Sequence, residues 1–360
     1  MNIGITCNGN LENLFDNGIC FNVILWYDFL EICGYNPYFI IYEKDNPINF
    51  IKKKAINKEY NFLTYNNNIQ QLNNNDVFKN TKLIFEIGLF HKEFLDLCLV
   101  LKIKTIHVIL GSTYLLDIQN ILDSSYKHYT DTYTNYYQIW ISPHFEFSKE
   151  YIEVRNKTPV YVCPYFWRDD MFKKNKLLEN VNKNFDKLNI AIMEPNINYC
   201  KTCLVPITIC EKGEKEIDSV FVFCSYKLKE IPMFKNFILN LDLWKNKKIS
   251  CENRVSIIDI LSKYCNCVVS CVEKCDLNYV FLECFYLGIP LIHNSKILKD
   301  YGYYYPDLSV SKGAEYFEII KKTHNREKYI EKHKEILYKY SIDNLESQEW
   351  VKNKINNIFS

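Results

Sequence analysis

Glu283 sits in the run Phe281-Leu282-Glu283-Cys284-Phe285, within the segment CVEKCDLNYVFLECFYLGIPLIHNS at residues 271–295. The segment reads as a strand, a loop, a helix near residues 279–287 that contains Glu283 and is stopped by Gly288, and a strand ending in His293-Asn294-Ser295. A carboxylate one turn inside such a helix can accept hydrogen bonds from two neighbouring hydroxyls, such as those of a ribose. A solvated helical glutamate is the ordinary alternative, but the apolar neighbours on both sides leave little solvated face. His293 and Asn294, at the same edge, are candidates for contact with a base or a sugar.

A second constellation lies at residues 190–207, IAIMEPNINYCKTCLVPI. A strand ends at Met193, the loop Glu194-Pro195-Asn196 follows, and Asn198 is placed to cap a helix with Lys201 in its first turn. The N–H groups of a helix start form an anion site, and a lysine, disfavoured there by the helix dipole, fits if a diphosphate is its partner. The plainer reading leaves Lys201 in solvent. Pro206 conflicts with a helix over residues 200–210, because it removes a hydrogen bond and bends the run. Arg254 is a further candidate cation, in a segment CENRVSII that also reads as the start of a surface helix.

The third constellation is the N-terminal loop carrying Asn8, Gly9, Glu12, Asp16, Asn17, Gly18 and Asn22. Its glycines permit close approach by a ligand, yet it has neither G-x-G-x-x-G nor the P-loop lysine pattern. It suits an acceptor or a sugar, or it is an ordinary strand-to-helix loop. Asp16 and Glu12 are the candidate proton acceptors on position alone.

Weaker signals resolve toward structure. Cys200-x-x-Cys203, Cys265-x-Cys267 and Cys271-x-x-x-Cys275 have metal-like spacing but fall in apolar segments. His91 and His107 read as satisfied core or surface histidines more readily than as catalysts. Tyr301, Tyr303, Tyr304 and Tyr305 read as packing for the loop after His293, with a sugar platform as the other reading. No two aspartates stand two apart, so the Asp-x-Asp metal anchor is missing and neither metal nor cofactor is expected.

These groups need elements to hold them, and 360 residues suffice for two domains. Residues 3–7, a run from 19 to 33, Gly34 as its C-cap and PYFIIYE compose a βαβ unit. Further strands are expected at 82–88, 105–110, 138–142 and 159–163, which makes residues 1–172 a doubly wound, Rossmann-like domain. Residues 173–189 turn polar and read as a linker. Alternation restarts with strands at 190–193, 220–223, 267–271 and 290–292, so residues 190–360 read as a second Rossmann-like domain ending in charged helices. Two such domains place a cleft between the carboxyl ends of two sheets.

Net charge of +1, from 44 basic and 43 acidic residues, lacks the excess that phosphate-backbone binding requires, so nucleic acid is not expected as a partner. Fifteen cysteines are an odd number, no signal-peptide core opens the chain, and no apolar run reaches the roughly 18 residues of a membrane span. Reduced thiols and a cytoplasmic setting follow as expectations.

The segment at 271–295 also resembles a family of mostly bacterial proteins labelled as a domain of unknown function and related to the GT-B glycosyltransferases. DNGICFNVILWYDFLEICGY, IWISPHF, PVYVCPYFW, EPNINYCKTCLVP, LNYVFLECFYLGIPLIHNS, LKDYGYYYPDLS and KGAEYF carry the likeness over most of the chain. The resemblance implies an α/β, GT-B-like fold of two Rossmann-like doubly wound domains facing across a cleft, with a sugar nucleotide held chiefly by the C-terminal one. FLECFYLGIPLIHNS looks like the wider retaining GT-B pattern in which a helical Glu contacts the donor ribose, and Glu283 matches it. The upstream Glu of that paired motif falls near Cys275, with Glu273 and Asp276 as displaced neighbours, so the stereochemical outcome stays open.

The expected activity is transfer of a sugar from a nucleotide-sugar donor to a glycan or other acceptor. Lys201 and the helix start near Asn198 would hold the diphosphate, with Glu194, Asn196, Arg254, Asn278, Tyr279, His293 and Asn294 around the donor. Asn8, Gly9, Asn17, Gly18 and Asn22 would serve the acceptor or sugar. A sugar-nucleotide epimerase and a catalytically silent binding or scaffold protein are the alternatives.

Overall fold

The computed structural model describes residues 1–7, 18–42, 58, 60–65, 69–87, 92–123, 135–173 and 184–360. They divide into two compact units, Met1–Arg168 with Tyr338–Ser360, and Asp169–Leu337.

The first unit is built on β1 (Asn2–Cys7), β2 (Asn36–Tyr42), β3 (Phe62–Tyr65), β4 (Leu83–Glu86), β5 (Lys104–Ile109), β6 (Gln138–Ile141) and β7 (Val160–Val162). The order is β3-β2-β1-β4-β5-β6-β7, with every pairing parallel. Helices on such a sheet bury its strands on both faces, and β4 is buried throughout and β1 from Ile3 onward. The Gly18–Ile32 helix buries Trp26, whose ring lies 5.5 Å from Phe85 and 5.9 Å from Trp140. Gly34 ends the turn after this helix at φ +88°, a conformation that a side chain would strain. Strand order reverses between β1 and β4, the point at which ligands of doubly wound sheets bind.

The second unit repeats the plan with β8 (Asn189–Ile192), β9 (Ser219–Val222), β10 (Ile249–Cys251), β11 (Cys267–Val269), β12 (Leu291–His293) and β13 (Tyr303–Tyr304). Their order is β10-β9-β8-β11-β12-β13, again all parallel, with the reversal between β8 and β11. Ile190, Ile192, Val220, Val222, Cys267, Val269 and Ile292 share one core with Ile207 and Cys210 of the Leu204–Lys212 helix and with Phe317 and Ile320 of the Val310–Thr323 helix.

The expected boundaries are corrected at both ends of the second unit. The division falls at Arg168/Asp169 and not at 172/173, and β8 already includes Asn189. Residues 174–183 of the expected linker lie outside the described residues. The C-terminal segment from Tyr340 packs into the first unit: Trp167 N–H donates to Tyr340 O at 2.7 Å, and Trp350 meets Trp140 at 5.0 Å in an edge contact. An amphipathic pattern shows which helix face is apolar but not which sheet covers it.

Three strands, β3, β10 and β13, were not expected. At two to four residues they are too short for periodicity to mark. Among the described residues the cysteines are free thiols, most of them buried, and no helix is long and apolar enough to cross a membrane.

Candidate functional site

The carboxyl edge of the second sheet is shaped by the loops after β8, β11 and β12. The loop after β8 folds around Asn196, which takes a left-handed φ of 55°. Its Oδ1 accepts the Cys203 N–H at 2.8 Å and its Nδ2 donates to Glu194 O at 2.8 Å, so one amide closes the whole loop. Asn198 accepts the Cys200 N–H at 3.1 Å, as a turn residue. The helix begins only at Leu204, so the expectation that Asn198 caps a helix with Lys201 in its first turn is corrected. Pro206 explains the difference, since it occupies the first turn, where its missing N–H removes no bond.

Glu194, immediately beyond the end of this strand, is buried at 2% exposure. Its carboxylate accepts from Ser270 Oγ and, at 3.2 Å, from the Cys271 N–H. Burial pushes the Glu194 carboxyl up to about 7, against the opposing pull of Ser270, the Lys201 charge and the Cys271 N–H. Lys201 is therefore close enough to act on this group from the loop. A small cavity beside it is lined by Met193, Glu194, Val268, Ser270, Asn278 and Val280.

Asn278 opens the Tyr279–Leu287 helix, its Oδ1 accepting the Val280 N–H, and Gly288 closes it at φ +69°. Added side-chain bulk at Gly288 would come within 2.4 Å of Arg326, so this stop is fixed both by conformation and by space. Glu283 lies in the second turn, 5% exposed. No hydrogen bond or ion pair joins its carboxylate to another described residue, and burial alone pushes it up to about 8. The two buried acids of this edge thus differ: Glu194 is satisfied within the protein and Glu283 is not.

His293 and Asn294 are placed differently from the expectation that they touch a base or sugar. His293 is fully buried; Nδ1 accepts the Ser295 N–H at 3.2 Å, which leaves Nε2 to donate to Tyr301 O at 2.9 Å. Burial lowers this imidazole to about 4. Asn294 spends its amide on the backbone of Val272 and on Asp307 O. Both residues shape the edge from within.

Arg254 is exposed ahead of the Ile257–Lys263 helix, which Ser256 caps, and its charge acts on the Cys224 thiol after β9. It follows β10, and the same thiol also feels the charge of Glu194. The tyrosines are packing: Tyr305 donates to Ser270 O at 2.8 Å, and Tyr303 bonds to His324.

In the first unit, Gly18 is exposed and Asn22 is buried, its Nδ2 donating to Gly18 O at 2.8 Å within the helix. Asn8, Gly9, Glu12, Asp16, Asn17 and His91 lie outside the described residues. Ser270, which seats Glu194 together with the Cys271 N–H, was not singled out from sequence, because a partner 76 positions away leaves no local signal.

The family model described as "Protein of unknown function (DUF2827)" matches residues 2–354. No curated protein matches the chain in sequence. Among solved structures, the chain is similar to an alpha-glucosyltransferase in complex with UDP-glucose and DNA containing an abasic site, with TM-score 0.62, 10% identity and full coverage of both chains. It is also similar to sucrose-phosphate synthase from Thermosynechococcus elongatus, with TM-score 0.60, 10% identity, all of this chain and 99% of that one. An alpha-glucosyltransferase in complex with UDP gives TM-score 0.59 and 12% identity, again over both full chains. At such identities the likeness shows the fold, which is that of the GT-B glycosyltransferases.

Proposed function

The chain belongs to the DUF2827 family of proteins of unknown function, and we propose that it is a glycosyltransferase moving a sugar from a nucleotide-sugar donor to a glycan or other acceptor. Glu283 carries the reading. A buried carboxylate without an internal partner costs stability, and a ligand offering two hydroxyls would supply what it lacks. Its place on a helix at the carboxyl edge, beside the reversal between β8 and β11, is where a nucleotide binds in doubly wound sheets.

The rest of the edge supplies the complement. Lys201, acting from the loop after β8, and the helix start at Asn278 and Tyr279 meet the diphosphate, the latter through N–H groups and dipole. Glu194, Ser270 and Asn294 hold the loops in shape. Charge growing on the leaving diphosphate is met by these protein groups, so transfer needs no divalent metal. Water exclusion around the donor limits its hydrolysis. The UDP and UDP-glucose named for two structures of the same fold make uridine donors the first to try.

A thermal-shift screen against UDP, GDP, CMP and dTDP sugars tests the reading. At 100 times its Kd a true donor stabilises by about 2.7 kcal/mol. Binding that weakens in Glu283→Gln supports the assignment; the absence of any nucleotide effect on the intact chain overturns it.

A further inference from the structure

β5 ends at Ile109, and the chain passes through Leu110 and Gly111 into the Thr113–Leu122 helix, with Ser112 as its N-cap residue. This loop lies at the carboxyl edge of the first sheet, on the strand next to β4, whose other neighbour β1 marks the strand-order reversal. Ser112 is 6% exposed and its Oγ has no hydrogen-bond partner. A serine in this position normally turns its oxygen onto the N–H of the second or third helical residue, which satisfies both groups. Here no such bond forms. No described residue accepts the N–H of Ser112, Thr113 or Tyr114 either.

A hydroxyl that does not accept from the helix start is left to donate, as the N–H groups do. An anion is the partner that takes hydrogen bonds from both kinds of group, and a helix N-terminus adds the favourable end of its dipole. Nothing on the helix already fills that role. Its first turn has no acidic residue, and Asp117, one turn further in, is paired with Arg155 at 2.9 Å and accepts from the Tyr151 hydroxyl at 2.7 Å. Glu86, at the end of β4, is bonded to His107. Tyr114 is 39% exposed and Gly111 half-buried, so the mouth of the helix opens to the surface.

Three successive N–H groups and one hydroxyl around a helix start suit the tetrahedral oxygens of a phosphate better than the two coplanar oxygens of a carboxylate. We infer that the start of the Thr113–Leu122 helix is a phosphate site of the first unit, in which Ser112 binds through its hydroxyl. The ligand is a small phosphate monoester or phosphate itself, which share that tetrahedral group. The site stands on the first unit alone and does not need the transferase reading.

Backbone amide NMR of the full chain, titrated with inorganic phosphate and separately with glucose 6-phosphate, tests the site. Saturable shifts should appear at Ser112, Thr113 and Tyr114 with both, and the tighter of the two shows whether a monoester or free phosphate is the source. Lys201 and Tyr279 in the same spectra report phosphate taken up by the second unit, so failure of the donor site and failure of this one are read separately.

Ser112→Ala should weaken binding about 10-fold or more, the worth of one hydrogen bond to a charged group. It should not lower the urea midpoint, because the hydroxyl it removes has no partner in the unliganded chain. Ser112→Asp puts a carboxylate where the ligand would sit, so it should abolish binding and raise the midpoint. The inference is overturned by the absence of shifts at those three residues, by shifts confined to Lys201 and Tyr279, or by unchanged affinity in Ser112→Ala. Acetate binding as tightly as phosphate overturns it too. A lower midpoint in Ser112→Asp does the same, since it would place the hydroxyl among apolar groups with no room for an anion.

Discussion

Asn294 holds both polar groups of the Val272 backbone: Oδ1 accepts its N–H at 2.8 Å and Nδ2 donates to its carbonyl at 3.0 Å. One side chain thereby imitates a strand partner for a residue beyond the end of β11. The same Nδ2 reaches Asp307 O at 3.2 Å, joining the loops after β11 and β13. Cys271, the preceding residue, gives its N–H to Glu194. The edge near Glu283 is thus built from an acid and an amide that each stand in for missing backbone partners.

Asn294→Ala should leave the Val272 N–H and carbonyl unsatisfied in a buried loop. Each such group costs about 1 to 3 kcal/mol. Urea unfolding should show a loss of at least about 2 kcal/mol, and nucleotide affinity should fall with it as the loop loosens. A loss no larger than that of an ordinary surface substitution would mean that water or a shifted loop replaces the amide.

Glu283→Gln should have two opposite effects. Donor binding should weaken by about 1.5 to 3 kcal/mol, the worth of hydrogen bonds to a charged group. Above about pH 8, where the buried carboxyl ionises, the unliganded protein should become more stable, because a buried charge without a partner is removed. Calorimetry and urea melts on the same preparation check both. Weaker binding with lower stability would point to a misfolded edge, and unchanged binding would take Glu283 out of the site.

Much of this edge was legible in the sequence, for reasons that individual residues make plain. Gly288 already marked the stop of the Tyr279–Leu287 helix, and the apolar flanks of Glu283 left it no solvated face. Asn198 misled because an Asx turn and a helix cap look alike in sequence, whereas Pro206 rightly conflicted with a helix start near residue 200 and sits in the first turn of the helix that begins at Leu204. His293 misled because residue type does not report burial.

Lys201→Ala should lower turnover well beyond the effect of Lys328→Ala, an exposed helical lysine on the same unit. The reason is the charge that grows on the departing diphosphate, which a nearby cation stabilises more in the transition state than in the ground state. The effect should therefore fall on kcat more than on KM. Because the leaving group is met by protein charge, excess EDTA should leave the wild-type rate unchanged. Complete loss with EDTA, restored by Mn²⁺ or Mg²⁺, would contradict this mechanism.

Stability should hold a plateau between about pH 4.5 and 6.5 and fall on both sides, because two buried acids and two buried histidines pull in opposite directions. His293 and His333 each accept a backbone N–H on one ring nitrogen, from Ser295 and Gly302 respectively, and burial lowers both to about 4 from the ordinary 6.5. Below 6.5 the unfolded chain takes up protons that the folded one refuses, so their contribution is lost as pH drops toward 4. Tyr301 and Tyr329 face these rings through their carbonyls, Lys332 and His324 oppose a second charge, and no carboxylate is bonded to either imidazole to reverse the trend. Glu194 and Glu283 work the other way. Their folded values, about 7 and about 8, stand above the usual 4.5, so their contribution is whole below 4.5 and is lost as pH rises through 7 and 8. Within the overlap the two slopes oppose each other and largely cancel, with His324, also lowered by burial, adding to the histidine side. Urea melts from pH 4 to pH 9 read both limbs. Glu283→Gln should shrink the alkaline fall to the part that Glu194 contributes and, by leaving one histidine uncompensated, turn the plateau into a rise up to about pH 6.5. An unchanged plateau in the variant would show that Glu283 is relieved by groups other than those described.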